Sequence, residues 1–454
     1  MPTRRDITAL LAASLMIPGQ GFSQSVDLYQ LQRDLINGTP AEFFAALETI
    51  KQRGLPDMAA GLIASMRFTN GPNSNISKAL SAITGEKDAQ SWFDWMLWQE
   101  RNPQVIPDPS FIKFKREIFL AIDPNFKIFL DPQDIQPDAM RIRLEEITWG
   151  GVRKDGIPSL DAPDLIRADE ADYLQSDDLV FGVEINGDAR AYPLRIMGWH
   201  EMFNDVIGGV PVALAYCTLC GSGILFETKL ASEHDPLIFG SSGFLYRSNK
   251  LMFDRTTHSL WNQFTGEPVS GPMTRQKHVL VQRPIVIDTW ASWHAANPTT
   301  RVLSLNTGFD RDYGSGVVYN DYFTSNYLMF PVDVDQGKVA QKDFVFGIRQ
   351  FGGAKAWPLD AFRNTPLIND EILGRQIVLI GDAETRTVRA FERGTRRFEV
   401  GLTSLTSDDD LDWSITETAL ISSEGQKLPR VAGHIAYWFA WNSYLAANSE
   451  LYEH

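Results

Sequence analysis

The chain has 454 residues, with 42 Lys and Arg against 57 Asp and Glu, and two cysteines. At 44% hydrophobic and 22% charged residues, its composition is that of a packed globular protein long enough for two or more domains, not of a disordered one. A formal charge of −15 works against broad binding to nucleic acid or anionic membranes, which needs basic surface, and two cysteines cannot staple a chain of this size, so a disulfide scaffold is excluded.

Residues 1–23 have the layout of an export signal. Arg4 and Arg5 make a basic start, Ala9 to Ile17 is a short apolar run, and Gly21-Phe22-Ser23 offers small residues for cleavage. Thr3-Arg4-Arg5-Asp6-Ile7-Thr8 has the pattern of a twin-arginine signal, a route that carries folded and often cofactor-loaded proteins. An ordinary secretory signal is the alternative. Either places the protein in the periplasm or outside the cell, and no later segment is long and apolar enough to span a bilayer. Removing these residues takes away two arginines and one aspartate and leaves a charge of −16.

From 26 to 130 apolar residues recur at helical spacing, as in Ala41 to Leu47 and Met58 to Met66. Breaks at Gly38-Thr39-Pro40, Gly54-Leu55-Pro56, Asn70-Gly71-Pro72 and Pro107-Asp108-Pro109 predict short paired helices, a small helical-repeat-like array. Trp92, Trp95 and Trp98, spaced by three, predict core packing. Asp131 to Pro137 reads as a linker. From 140 to 454, runs of Val, Ile, Phe and Tyr between Gly, Asn, Asp and Pro predict strands, and Asn186-Gly187 predicts a hairpin turn. The fold class is therefore α+β, a helical domain followed by a β-rich one.

The β-rich region repeats. Residues 180–227 align without gaps on 345–392, and fifteen of the 48 pairs are identical, against about two or three expected from average composition. Trp290-x-x-Trp293-His294 also resembles Trp438-x-x-Trp441-Asn442. Two related halves are predicted, packed face to face or continuing one sheet. Positions that differ are candidates for what one half does alone: Cys217 aligns with Asp382, Cys220 with Thr385, His200 with Thr365 and Glu201 with Pro366.

Cys217-Thr218-Leu219-Cys220-Gly221 follows the apolar run Val212 to Tyr216. A C-x-x-C-G turn at a strand end can aim two thiolates one way, with backbone N–H groups near sulfur. A closed structural zinc site needs four ligands, so two sulfurs and a histidine point to an open copper or zinc centre. A thiol–disulfide redox couple and a plain disulfide remain open beside it. His200, 17 residues before Cys217 on a predicted helix, is the candidate third ligand, and Met252 and His258 are further candidates. Glu201, Asp254 and Arg255 are candidate catalytic groups near the open position. His234 and His278 read as surface turns, and His454 ends the chain.

Other chemistries lack their motifs. Gly240-Ser241-Ser242-Gly243 is not a G-x-S-x-G elbow, and there is no phosphate-binding loop or dinucleotide fingerprint. Gly221 after Cys220 removes the haem-attachment motif. Trp413 and Ala419 stand where a calcium loop starting at Asp408 needs glycine and a bidentate acid, which leaves a solvated acidic turn.

As a set, Asp178 to Leu194, Trp199-His200-Glu201, Tyr216 to Gly221, Asn249 to Arg255 and Ser259-Leu260-Trp261 resemble a prokaryotic family catalogued as domain of unknown function 3179, over about residues 145–450. That family usually has proline at the position of Thr218; the resemblance implies a stiffness difference in the turn and carries no reaction. The expectation is an exported metal-binding protein, a copper- or zinc-dependent oxidoreductase acting on an unknown small molecule or a periplasmic protein. The alternative is a binding or scaffold module in which the helical domain holds a partner and the cysteines form a disulfide.

Overall fold

The structure, a computed structural model, describes residues 26–230, 235–335, 337–400, 405–445 and 448–453. The predicted export signal, His234 and His454 lie outside the described residues.

The helical region contains α1 (Leu28–Asn37), α2 (Pro40–Arg53), α3 (Ala59–Ser65), α4 (Asn73–Thr84), α5 (Trp92–Arg101) and α6 (Ser110–Ile122). Its boundaries follow local chemistry. Thr39 and Glu42 cap α2 reciprocally, and Gly54 ends it at φ 66°. The helices do not stack as a linear array. Every residue of α3 is buried, α3 touches α1, α4, α5 and α6, and α1 closes back on α6. An apolar helix of Ala-Ala-Gly-Leu-Ile-Ala-Ser has no polar face to show water, so the others enclose it. Trp95 is fully buried and its indole N–H donates to Ser77 Oγ at 3.0 Å, which fits the core reading of that stripe.

Aromatic packing joins this bundle to the β-rich region. Phe119 and Phe126 lie 4.6 and 4.5 Å from Phe244, and Phe129 lies 4.9 Å from Phe253. The linker is pinned as well: Arg275 pairs with Asp134 at 2.5 Å, and Ser270 Oγ donates to the Asp134 carbonyl.

Beyond the linker the chain is mostly antiparallel sheet. The strands Leu179–Ile185, Asp188–Pro193, Met202–Ile207, Val210–Cys217 and Ser222–Glu227 are followed, 165 residues later, by Phe344–Gln350, Gly353–Pro358, Leu367–Ile372, Arg375–Asp382 and Thr387–Glu392. Their registers match: Val180 faces Pro193, and Val345 faces Pro358. Side-chain bonds match too. Tyr192 Oη donates to Asp205 Oδ2 at 2.7 Å and Trp357 Nε1 to Asp370 Oδ2 at 2.8 Å. Asn204 clasps the backbone of Phe239 as Asn369 clasps that of Phe398. At Gly182 and Gly347 an added Cβ would strike the buried Trp293 and Trp441 indoles, so both positions need the missing side chain.

Among the described residues no sheet mixes strands from before Leu303 with strands from after Phe344. The two sets pack around a shared core instead, in which Phe181, Tyr192 and Leu214 meet Phe346, Trp357 and Leu379. A buried charge network crosses the boundary. Arg389 pairs with Asp288 at 2.9 Å and with Glu417 at 2.6 Å, and Glu417 also pairs with Arg430.

Candidate functional site

Cys217 closes the strand Val210–Cys217, and the chain reverses through Thr218-Leu219-Cys220-Gly221 into the strand Ser222–Glu227. Gly221 takes φ 58°, the left-handed conformation that lets the turn close. The N–H groups of Cys220 and Gly221 donate to the carbonyls of Cys217 and Thr218 at 3.1 and 3.2 Å. They are therefore engaged by carbonyls and do not face sulfur, unlike the N–H groups of the expected metal knuckle.

Both thiols are free and buried, 2% and 0% exposed, with Sγ atoms 2.8 Å apart. Cys220 Sγ also faces two acceptors, the Ser248 carbonyl at 3.4 Å and Asn249 Oδ1 at 3.3 Å. The first oxygen belongs to the tight turn at Arg247-Ser248, both in left-handed backbone, after the strand Phe239–Tyr246, and the second to the first residue of the strand Asn249–Asp254. Burial, then the neighbouring Cys217, pushes the Cys220 thiol well above its ordinary range, so it is held as a neutral S–H. The loop is fastened from outside by Tyr322 Oη donating to the Leu219 carbonyl and by the Tyr437 N–H donating to the Cys220 carbonyl, both at 2.8 Å.

Glu201 is brought to this loop. It caps α7 (Leu194–His200) at φ 55°. Its Oε1 accepts from Thr218 Oγ1 at 2.6 Å and its Oε2 pairs with Lys250 Nζ at 3.1 Å. All three side chains are buried. Thr218 therefore does more than set the stiffness of the turn, because its hydroxyl ties the loop to a buried carboxylate. A proline there has no such donor.

Of the other candidates, Met252 alone shares the cysteines' cluster. His200 is fully buried, its Nδ1 donates to the Pro158 carbonyl at 2.9 Å, and its Nε2 accepts from Tyr313 Oη at 2.6 Å. Both nitrogens are thus engaged, and burial lowers its pKa, which keeps the ring neutral. Met252 is buried in the same apolar cluster as both cysteines. Asp254, Arg255 and His258 lie at the far end of the strand whose first residue, Asn249, touches Cys220. Five residue steps of strand separate Asn249 from Asp254, about 17 Å. There Asp254 accepts from Trp261 Nε1 and from Thr257, Arg255 forms a bidentate pair with Asp155 at 3.0 Å, and His258 is exposed in the turn. These contacts hold the hairpin and do not point at the sulfurs. Among the described residues no group of three or more His, Cys, Asp or Glu could hold a metal ion.

Sequence reasoning passed over Lys250 and Asn249. The available signal was a lysine and an asparagine opening an otherwise apolar strand, Asn249-Lys250-Leu251-Met252-Phe253, where every residue is buried. Tyr216 and Gly221, at the edges of the cysteine loop, also line a cleft of about 660 Å³.

Residues 154–448 match the family described as a protein of unknown function, DUF3179, and the chain belongs to that family. Neither a curated protein nor a solved structure matches the chain.

Proposed function

We propose that the chain, a member of that family, is an exported protein whose Cys217–Cys220 pair is a dithiol–disulfide redox centre. The centre sits in one half of an internally duplicated β-rich domain. The observation that carries this reading is the direct apposition of two free sulfurs at 2.8 Å. The duplication rests on strand bounds, registers and side-chain bonds that recur at one spacing. Export rests on the signal pattern in residues 1–23.

With a small-molecule disulfide as electron acceptor, the Cys217 thiolate attacks one acceptor sulfur, breaks its S–S bond and expels a thiolate. Cys220 then loses its proton and attacks Cys217 Sγ in the mixed disulfide. The protein S–S bond forms as the second thiolate leaves. Two electrons pass to the acceptor, and two protons, lost by the protein thiols, end on the released thiols. Cys217 is assigned the first attack because burial holds Cys220 as a neutral S–H. Glu201 and Lys250 act as positioning residues, through Thr218.

The test is equilibration in buffers of graded reduced-to-oxidised glutathione ratio, followed by alkylation and intact mass. Reversible interconversion of a doubly alkylated and an unalkylated form is expected, with a trapped glutathione adduct in Cys220→Ser. A pair that does not interconvert at any ratio overturns the reading.

Copper or zinc is the second reading. It is favoured by Ser222, opposite Cys217 in the ladder, whose buried hydroxyl has no hydrogen-bond partner among the described residues. The Met252 thioether in the same cluster leans the ligand set toward Cu(I). A tetrahedral ion would part the sulfurs to about 3.8 Å. Stoichiometric metal in wild type and its loss in Cys217→Ser, read by elemental analysis, would establish it.

A further inference from the structure

The cysteine turn has a counterpart in the second half, and the two face each other. Arg386 lies in the turn between Arg375–Asp382 and Thr387–Glu392, at the position equivalent to Gly221. Both residues hold left-handed backbone, φ 58° at Gly221 and 59° at Arg386. Glycine takes that conformation freely, whereas a residue with a Cβ loses about 1 kcal/mol or more. Both turns meet over one ring: a Cβ on Gly221 would come 2.7 Å from Phe344, and the Arg386 guanidinium lies 4.9 Å from the centre of the same ring.

Gly221, Arg386, Tyr216 and Tyr437 line the cleft of about 660 Å³ between the halves, a size suited to a small molecule. At one end Arg195 is neutralised by Asp178 at 2.5 Å, and Asp177 is exposed. Arg386 is different. Among the described residues no carboxylate pairs with it, and the Tyr216 and Tyr437 hydroxyls have no hydrogen-bond partner. An unpaired guanidinium and two free phenols in one concavity, in a chain of charge −15, form a local site for negative charge. The Phe344 wall suits an organic body better than a bare inorganic ion.

We propose that this cleft binds a small organic anion whose carboxylate is taken by Arg386, with the Tyr216 and Tyr437 hydroxyls as further donors. Resting on the dithiol reading, that anion is a carboxylate-bearing small-molecule disulfide, the electron acceptor of the Cys217–Cys220 pair. On this view the half without cysteines supplies the substrate's counter-charge.

Two measurements test it. The first compares the rate of Cys217–Cys220 oxidation by dithiodipropionate, a dianion, by neutral hydroxyethyl disulfide and by cationic cystamine. The dianion is expected to react about tenfold faster than the neutral compound, the scale of one charge-assisted hydrogen bond. Arg386→Gln is expected to remove most of that preference and Arg386→Lys to keep part of it. The second is calorimetric binding of dithiodipropionate to a Cys217→Ser/Cys220→Ser variant, which cannot exchange thiols. Binding that weakens about tenfold when Arg386→Gln is added supports the site. No binding by the double variant, or equal rates with all three disulfides, overturns it. Binding without oxidation supports the anion site and removes the dithiol reading instead.

Discussion

Replacing Lys250 by methionine leaves the Glu201 carboxylate buried with, among the described residues, only the Thr218 hydroxyl to answer it. The two side chains are 5% and 7% exposed and their charges are 3.1 Å apart. At an effective dielectric of about 20 that separation corresponds to about 5 kcal/mol of attraction. In the intact protein, the desolvation of both ions offsets much of this gain. In the variant the carboxylate's desolvation stays and the attraction goes, so Lys250→Met is expected to lose about 3–5 kcal/mol of stability. Glu201→Gln in the same chain removes the stranded charge and should recover at least half of the loss. Urea unfolding of the wild type, both single variants and the double variant measures the cycle. A loss below about 1 kcal/mol for Lys250→Met, the range of an exposed pair, would refute the argument that this pair works as a buried unit beneath the cysteine loop.

Thr218→Val keeps the shape of the side chain but removes its 2.6 Å bond to Glu201 Oε1, and should cost about 1.5–3 kcal/mol in the same assay. Cys220 predicts a pH dependence. Burial keeps its thiol protonated in the folded chain, while the unfolded chain gives up that proton at about pH 8.5, so the folded state binds more protons above that point. Stability of the reduced protein is then expected to fall as the pH rises further, by up to about 1.4 kcal/mol per unit, and reduced Cys220→Ser should lack this slope. Gly182→Ala and Gly347→Ala drive a methyl into fully buried Trp293 and Trp441, and thermal unfolding should register a loss of about 1–3 kcal/mol for each.

Much of the fold was readable because it depends on short-range chemistry. The Thr39 cap, the Gly54 stop and the Asn186-Gly187 turn are set by a few neighbouring residues, and each lies where the sequence placed it. Spacing along one helix likewise identified Trp95 as core. The arrangement of the helices was not readable in this way. Enclosure of α3 and closure of α1 on α6 depend on packing between residues far apart in sequence, and periodicity reports only which face of each helix is apolar.

The candidate site divides along the same line. By itself the sequence determined that both cysteines lie in one turn at a strand end, that Gly221 permits that turn, and that the segment aligned 165 residues later carries Asp382 and Thr385 instead. It also put Glu201 among the candidates. Tertiary structure alone decided which partners those groups meet. His200 is committed to Pro158 and Tyr313, Asp254 and Arg255 sit a strand's length away, Asn249 meets the Cys220 sulfur, and Thr218 and Lys250 meet on the Glu201 carboxylate. The physical reason is one of range. A turn is specified by the dihedral preferences of four or five consecutive residues. The burial of a charge and the neighbours of a thiol depend on strands and helices that meet only when the whole domain has packed.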